Sequence, residues 1–448
     1  MPPKTAKRRS RRADEANSSS PIRKRTRLDH SRLAECPEEI LLKIWSYLIE
    51  IDLARTSIVS KRFSVLSNDL SIWKQLYNDV FEYQMPLYHP SPTVFEFRDL
   101  SAWDRSVENP WKESFRQLYR AVHVRPGSKV YELQGRKILH EETIEDALKH
   151  FESKTKVEKL VVLHTGHYKP DPIVIKSPIQ IIGAGKSPEL RESPNVIIEQ
   201  HLDTTLTFTR GALNAYIGYC TIKFSSSGQD RVNFNSIRME KKATPVIEHV
   251  VINSLHSGAQ NAYIGYCTVN FSLITNDPVI SNSINVNDQA TPVIEHLVIN
   301  SVGSIGPAIH VTEQLTNPKV RFCTISDCDS SGILVDDHAS GTFEDCDIVR
   351  NNYCEVGVSE YANPVFRRCR IHHGHGDGIS CSDSGSGHFE QCDIYENKDS
   401  GVDVSTNADP TFERCNIFSG VEEGINVIEE GRGEFIENRI FSNGSANV

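Results

Sequence analysis

The last third of the chain repeats with a period of 23 residues, and few folds tolerate that. Cys323, Cys346, Cys369, Cys392 and Cys415 stand 23 apart, with Asn438 in the sixth place. Three residues before each comes Val320, Phe343, Phe366, Phe389, Phe412 or Phe435, and two after each comes Ile325, Ile348, Ile371, Ile394, Ile417 or Ile440. Nine after them stand Gly332, Glu355, Gly378, Gly401 and Gly424. A period of this length indicates a solenoid, in which each repeat buries its apolar face only against its neighbours.

The kind of solenoid follows from what fills one period. Short alternating apolar runs, such as Phe366-x-x-Cys369-x-Ile371 and Ile379-x-Cys381, are separated by Gly, Asn, Asp and Pro, without a helical stripe. Helical repeats are thereby excluded, and the Leu-x-x-Leu-x-Leu frame of leucine-rich repeats is missing. The fold class expected is mainly β, a right-handed parallel β-helix whose coils stack at roughly 4.8 Å. The ladder cysteines then point inward as small apolar side chains. The eleven cysteines are an odd number and avoid CxxC spacing, which argues against a disulfide framework or a zinc ribbon and for a reducing compartment.

The solenoid is traced upstream by its apolar runs. Leu160 to Leu163, Ile173 to Ile175, Ile179 to Ile182 and Val196 to Ile198 read as its first strands. Before them Thr143 and Asp146 resemble a capping box, with Ile144, Ala147, Leu148 and Phe151 on one helical stripe, so a helix near 143–152 is expected to cover the open end. A second repeat, offset by 47, links Asn214–Thr221 to Asn261–Thr268 and Ala243–His249 to Ala290–His296, with 26 identities in 43 positions. In the ladder, Val250 and Cys267 are then only 17 residues apart, so an irregular junction is expected near 253–266, or a chain assembled from alternative exons.

Residues 33–79 have a different pattern. Pro37 suits a first helical position, and Ile40, Leu41, Ile44, Trp45 and Leu48 form an apolar stripe. Asp52 reads as the N-cap of a second helix through Leu53, Ile58 and Phe63, and Ile72, Trp73, Leu76 and Tyr77 mark a third. So few residues cannot bury all these groups among themselves, and part of the stripe calls for a partner.

The run Cys36-Pro-Glu-Glu-Ile-Leu-Leu-Lys-Ile-Trp-Ser-Tyr-Leu48, with Asp52-Leu53, Val59-Ser-Lys-Arg-Phe63 and Trp73-Lys-Gln-Leu-Tyr77, resembles an F-box, with Cys36 where Leu is common. Together with Asn109–Tyr119, Asp146-Ala-Leu148 and the Cys-x-Ile coils, the chain is similar to F-box proteins that carry a right-handed β-helix. That resemblance implies a substrate-recognition subunit of an SCF-type ubiquitin ligase. Pro37, Ile40, Leu41, Ile44, Trp45, Leu48, Leu53, Val59 and Trp73 would dock a Skp-type adaptor, which brings a cullin and a RING protein. The β-helix would hold a nuclear protein substrate, at residues the sequence does not identify. Relatives have more coils and a C-terminal Cys/His zinc finger, whereas Val448 ends this chain inside a coil, so a shortened homologue is expected.

Charge divides the molecule. Residues 1–30 hold ten Lys/Arg and three Asp/Glu, while the net charge overall is -10. Lys7, Arg8, Arg9, Arg11, Arg12 and Arg23, Lys24, Arg25, Arg27 form two basic clusters around a Ser-rich spacer, read as a disordered bipartite nuclear-import signal. Without interleaved aromatics, and with an acidic remainder, nucleic-acid binding is disfavoured. No run approaches the roughly 18 apolar residues of a membrane span. The expected organisation is a leader at 1–32, an F-box at 33–79, a connector at 80–130 and the β-helix at 131–448, in the nucleus and also the cytoplasm.

Several other clusters resemble sites of chemistry. Asp336, Asp337, Asp383 and Asp403 occupy neighbouring coil positions, as carboxylates do in β-helix lyases and hydrolases, but they read better as turn residues. His372, His373 and His375 crowd one loop without a recognisable ligand spacing. Gly183-Ala-Gly-Lys-Ser187 imitates the end of a P-loop, yet Gln180 replaces its first glycine. No glycine-rich strand-to-helix turn supports the methyltransferase activity suggested for such proteins. The expectation is a non-catalytic receptor with no cofactor and no metal. A carbohydrate-active enzyme and a non-ubiquitinating scaffold remain as alternatives.

Overall fold

The computed structural model describes residues 32–445 apart from 82, 84, 104–105, 127–137, 153–158, 185–194, 202–203, 225–235, 258, 273–281 and 303–304. The basic leader with its nine import-signal residues, and Gly185 to Ser187 of the P-loop look-alike, lie outside the described residues. Two compact units divide after Asn68.

The first unit contains a 3-10 turn at Arg32–Glu35 and the helices α1 (Glu38–Trp45), α2 (Glu50–Ser57) and α3 (Lys61–Leu66). Pro37 is the N-cap of α1 and not its first residue. The single helix expected from Asp52 through Phe63 is two. The Ser60 hydroxyl accepts the Phe63 N–H at 3.1 Å and starts α3 afresh, while Asp52 lies in the first turn of α2 and pairs with Arg55 at 3.0 Å.

The second unit opens with α4 (Leu70–Val80), an antiparallel hairpin of β1 (Leu87–Ser91) and β2 (Val94–Phe97), and α5 (Pro110–Tyr119). Asn109 caps α5, its side chain accepting from the Lys112 N–H. β3 (Val122–Val124) pairs in parallel with β4 (Leu139–Glu141) and β5 (Leu160–His164), so the solenoid starts inside the expected connector. Between β4 and β5, α6 (Ile144–Glu152) covers the end as expected: Thr143 Oγ1 accepts the Asp146 N–H at 3.1 Å, and Ile144, Ala147 and Phe151 join the core.

From there the chain winds as a parallel β-helix. One stack contains eleven strands in sequence order, from Ile173–Ile175 to Ile425–Val427, and every coil contributes further strands that pair in parallel with the coils before and after. The ladder is unbroken and buried through Cys220, Val250, Cys267, Leu297, Cys323 and onward to Cys415. Beside it Phe343, Phe366, Phe389, Phe412 and Phe435 stack with ring centroids 4.4, 5.1, 4.6 and 5.3 Å apart. Buried asparagines close the turns: Asn397 Oδ1 accepts the Gly374 N–H at 2.9 Å and its Nδ2 donates to the Ile371 carbonyl at 3.3 Å.

The irregularity expected near 253–266 is confined, among the described residues, to a register shift between Gln260 and Tyr263, and the coils stack through the segment. Val246 pairs with Tyr263, Val251 with Thr268, and Leu255–Ser257 lies between Ile237–Met239 and Ile284–Val286 in the eleven-stranded stack. Seventeen residues thus make a whole coil, because its strands follow one another almost without turns. The neighbouring ladder intervals, Cys220 to Val250 and Cys267 to Leu297, are 30 residues each. One 47-residue repeat is therefore two complete coils, one short and one long, and its duplication leaves the stacking register intact.

Candidate docking surfaces

In the first unit the apolar residues split between two roles. Leu41 and Trp45, one helical turn apart on α1, are buried, and the Trp45 ring meets Phe63 edge-on at 5.1 Å. Arg62 fixes the entry to α1 by donating to the Cys36 carbonyl at 2.8 Å and pairing with Glu38 at 3.4 Å. The other side of the stripe faces outward: Ile40 is 52%, Ile44 41% and Tyr47 76% exposed, with Ile51, Ile58, Val59 and Val65 also exposed on the elements that follow. Each such aliphatic side chain gains about 1.5 to 3 kcal/mol when covered. An apolar concentration of this kind in fewer than forty residues marks a protein-binding surface.

The nine expected adaptor-docking residues accordingly divide. Pro37, Ile40, Ile44 and Val59 are exposed and Leu48 is half-buried, whereas Leu41, Trp45, Leu53 and Trp73 are buried and build the interior. Trp73 is occupied within the second unit, packing on Phe115 of α5 at 5.6 Å, while Tyr77 meets Trp111 at 5.1 Å. The helical stripe contained both sets, and spacing alone did not separate them.

The four coil aspartates have separate structural settings. Asp337 and Asp383 sit in left-handed turns with φ of 45° and 48°, as expected. Asp336 binds His310 Nε2 at 2.8 Å, and Asp403 lies on the strand Val402–Val404, not in a turn, where it accepts from Asn426 at 2.8 Å. His372 binds Asp347 at 2.9 Å, His373 pairs with Glu396, and His375 contacts Asn352. Each imidazole of that loop thus has its own polar neighbour.

A histidine cluster escaped the sequence reading. His123, His140 and His164 come from β3, β4 and β5, and one nitrogen of each lies within 4.8 Å of the others. Only the coil geometry gathers them. His123 Nε2 donates to the Leu118 carbonyl at 2.9 Å, which leaves Nδ1 to accept from His164 Nε2 at 2.8 Å. Burial, opposed by the Leu118 contact, brings His123 down to about 3, and burial likewise lowers His164 and His140. Both His123 nitrogens are engaged, and 2.8 Å is shorter than the roughly 3.3 Å between two nitrogens sharing a tetrahedral zinc. The cluster is a neutral hydrogen-bonded stack that ties the first coil to α5.

Along the solenoid, the residue before each ladder position takes a left-handed conformation and points outward. Tyr219, His249, Tyr266, His296 and Phe322 form a ring-on-ring row there, with centroids 4.6, 5.3, 4.7 and 5.1 Å apart. The hairpin covers the start of the row: Phe95 lies 4.5 Å from Tyr216 and Phe97 4.8 Å from Tyr219.

Comparison with known proteins finds matches to both parts of the chain. Residues 33–79 match the F-box-like family model, and residues 307–448 match the right handed beta helix region. Over 334 residues, 71% of this chain, the sequence is 36% identical to the F-box protein dre-1 of Caenorhabditis elegans. The chain spans 30% of that relative's length. Among solved structures, it resembles the A-module of the Azotobacter vinelandii mannuronan C-5 epimerase AlgE4, with a TM-score of 0.49 and 14% identity over 72% of this chain and 96% of that one. It also resembles the catalytic domain of a GH87 alpha-1,3-glucanase in complex with nigerose, with a TM-score of 0.46 and 11% identity over 73% and 66% of the two chains. The chain carries an F-box-like module and a right-handed parallel β-helix, and is homologous to an F-box protein.

Proposed function

We propose that the chain is the substrate-recognition subunit of an SCF-type ubiquitin ligase, of the F-box only protein 11 kind. The outward apolar side of α1 to α3, inside the segment that matches an F-box, is the observation that carries this reading. Ile40, Ile44 and Val59, with Pro37, supply the contact to a Skp-type adaptor, and cullin and RING protein join through it. The β-helix holds a protein substrate, and the chain acts without a catalytic residue, by raising the effective concentration of a substrate lysine near the conjugating enzyme. The clusters Lys7–Arg12 and Arg23–Arg27 direct the complex to the nucleus, with a cytoplasmic share. The separate hydrogen-bond and ion-pair partners of Asp336, Asp403, His372 and His373 support this reading over a carbohydrate-active one.

Co-purification tests it. Wild type captures the adaptor and cullin, and Ile44→Asp with Pro37→Ser abolishes capture while the circular dichroism of the chain is unchanged. Both residues are exposed, so loss of capture reports the surface and not the fold. Undiminished capture refutes the docking assignment.

A further inference from the structure

The 47-residue duplication copies a surface that the chain already occupies once with its own backbone. In the first copy β2 lies over Tyr216 and Tyr219: the Phe95 and Phe97 rings pack on them, and the Tyr219 hydroxyl donates to the Phe95 carbonyl at 2.9 Å. Phe95 and Phe97 are alternate residues of one strand and so share a face. The molecule itself thus displays how an extended aromatic-x-aromatic segment seats on this tyrosine pair.

The second copy, Tyr263 and Tyr266, has the same local geometry. Tyr219 and Tyr266 take φ of 57° and 53°. The Tyr216 ring lies across Gly218 and the Tyr263 ring across Gly265, so closely that a Cβ on either glycine would sit 2.8 Å from the ring's Cε1. The difference is cover. Tyr219 is 7% exposed, whereas Tyr266 is 40% exposed and Tyr263 half-buried. His296 and Phe322 continue the stacked row beyond Tyr266 and are exposed as well.

Charge distinguishes the two copies further. Glu96, between Phe95 and Phe97, pairs with Arg98, and burial, with the Glu96 charge adding to it, raises the Glu248 carboxyl to about 7. At the open copy the counterpart of Glu248 is Glu295, and it is already paired with Arg321, with Lys319 beside it on the same strand. Arg321, shared with Glu295 and close enough to act on Tyr263, gives the open copy a positive charge that would attract an acidic residue between two aromatics.

We propose that Tyr263 and Tyr266, continued by His296 and Phe322, dock an extended segment of the bound protein that carries two aromatic residues at alternate positions around an acidic one. This deepens the receptor reading and rests on it for the identity of the bound protein, not for the binding itself. The segment lies as β2 does, with its backbone carbonyl accepting from the Tyr266 hydroxyl.

The test uses the full chain and a fluorescein-labelled peptide of its own residues 92–99, Pro-Thr-Val-Phe-Glu-Phe-Arg-Asp, followed by fluorescence anisotropy. Wild type binds it saturably, and a peptide with both Phe replaced by Ala does not bind. Tyr266→Asn, which keeps a residue tolerant of left-handed backbone, weakens binding about tenfold or more. Tyr266→Phe, which keeps the stack and loses the hydroxyl, weakens it about threefold. Tyr361→Asn, at an exposed left-handed aromatic elsewhere, leaves it unchanged. Equal binding of the Ala peptide, no effect of Tyr266→Asn, or loss with Tyr219→Asn alone, which would mean exchange with β2, overturns the proposal. Adaptor capture is measured on the same preparations, so failure of the ligase reading and failure of the platform are seen separately.

Discussion

Glu355 provides a sharp test of how the coils are packed. Its ladder neighbours at the same position are Gly332, Gly378, Gly401 and Gly424, yet Glu355 is fully buried. Its carboxylate accepts from the Asn351 N–H at 3.1 Å and from the Asn351 side chain, and a Cβ on Gly374 would lie 2.9 Å from its Oε1. Burial, only partly offset by Asn351, pushes the carboxyl up from 4.5 to about 8. The native state therefore binds a proton that the unfolded chain releases near 4.5, and stability is lost as pH rises from 4.5 to 8 and is level above that. A displacement of that size corresponds to about 4 to 5 kcal/mol as an upper figure. Glu355→Gln keeps the shape and, through its single amide oxygen, one of the two Asn351 contacts, and removes the charge. Urea unfolding followed by circular dichroism at pH 5, 7 and 9 should show wild type losing a few kcal/mol between the first and last, and the variant losing much less. Equal pH slopes for the two proteins would refute the assignment of a buried neutral carboxyl.

Three further outcomes follow from the structure. Asn397→Ala leaves the Gly374 N–H and the Ile371 carbonyl unpaired inside the turn and should cost about 2 to 4 kcal/mol, read as faster amide exchange from the coils at 371–397. His123, held neutral down to about 3 by burial, favours the native state less as pH falls from 6.5 toward 3, so the amides of β3 and α5 should lose protection relative to their intrinsic exchange rates in that range. His123→Gln should flatten that loss of protection. Deleting residues 250–296 removes two whole coils and joins His249 to Leu297 in register, so the variant should fold with a melting temperature within about 5 °C of wild type while losing the peptide binding assigned to Tyr266.

What could be read from the sequence follows its periodicity. The Phe, Cys and Ile columns repeat every 23 residues because each strand pairs in parallel with its counterpart one coil away, so register in space equals register in sequence. The capping helix was legible for the same local reason, a hydroxyl and a carboxylate three residues apart. The 17-residue coil was misread because strand spacing, not residue count, closes a turn of the solenoid. Helical spacing placed Ile40, Leu41, Ile44 and Trp45 on one stripe but could not say which would be buried by Phe63 and its surroundings. The His123–His140–His164 stack and the β2 cover on Tyr216 and Tyr219 depend on contacts between segments of unrelated sequence, and no period announces them.

The column of thiols has a use beyond packing. Every ladder thiol from Cys220 to Cys415 is buried, and burial raises Cys220 and brings Cys267 to about 12, so a reagent reaches the column only where a coil opens. Each coil from 323 to 415 therefore carries its own dormant chemical reporter, and Cys328, Cys354 and Cys381 add a second buried thiol to three of them. Pulsed alkylation and mass spectrometry of the natural chain would time the opening of the layers one by one, and would show from which end the solenoid begins to unwind.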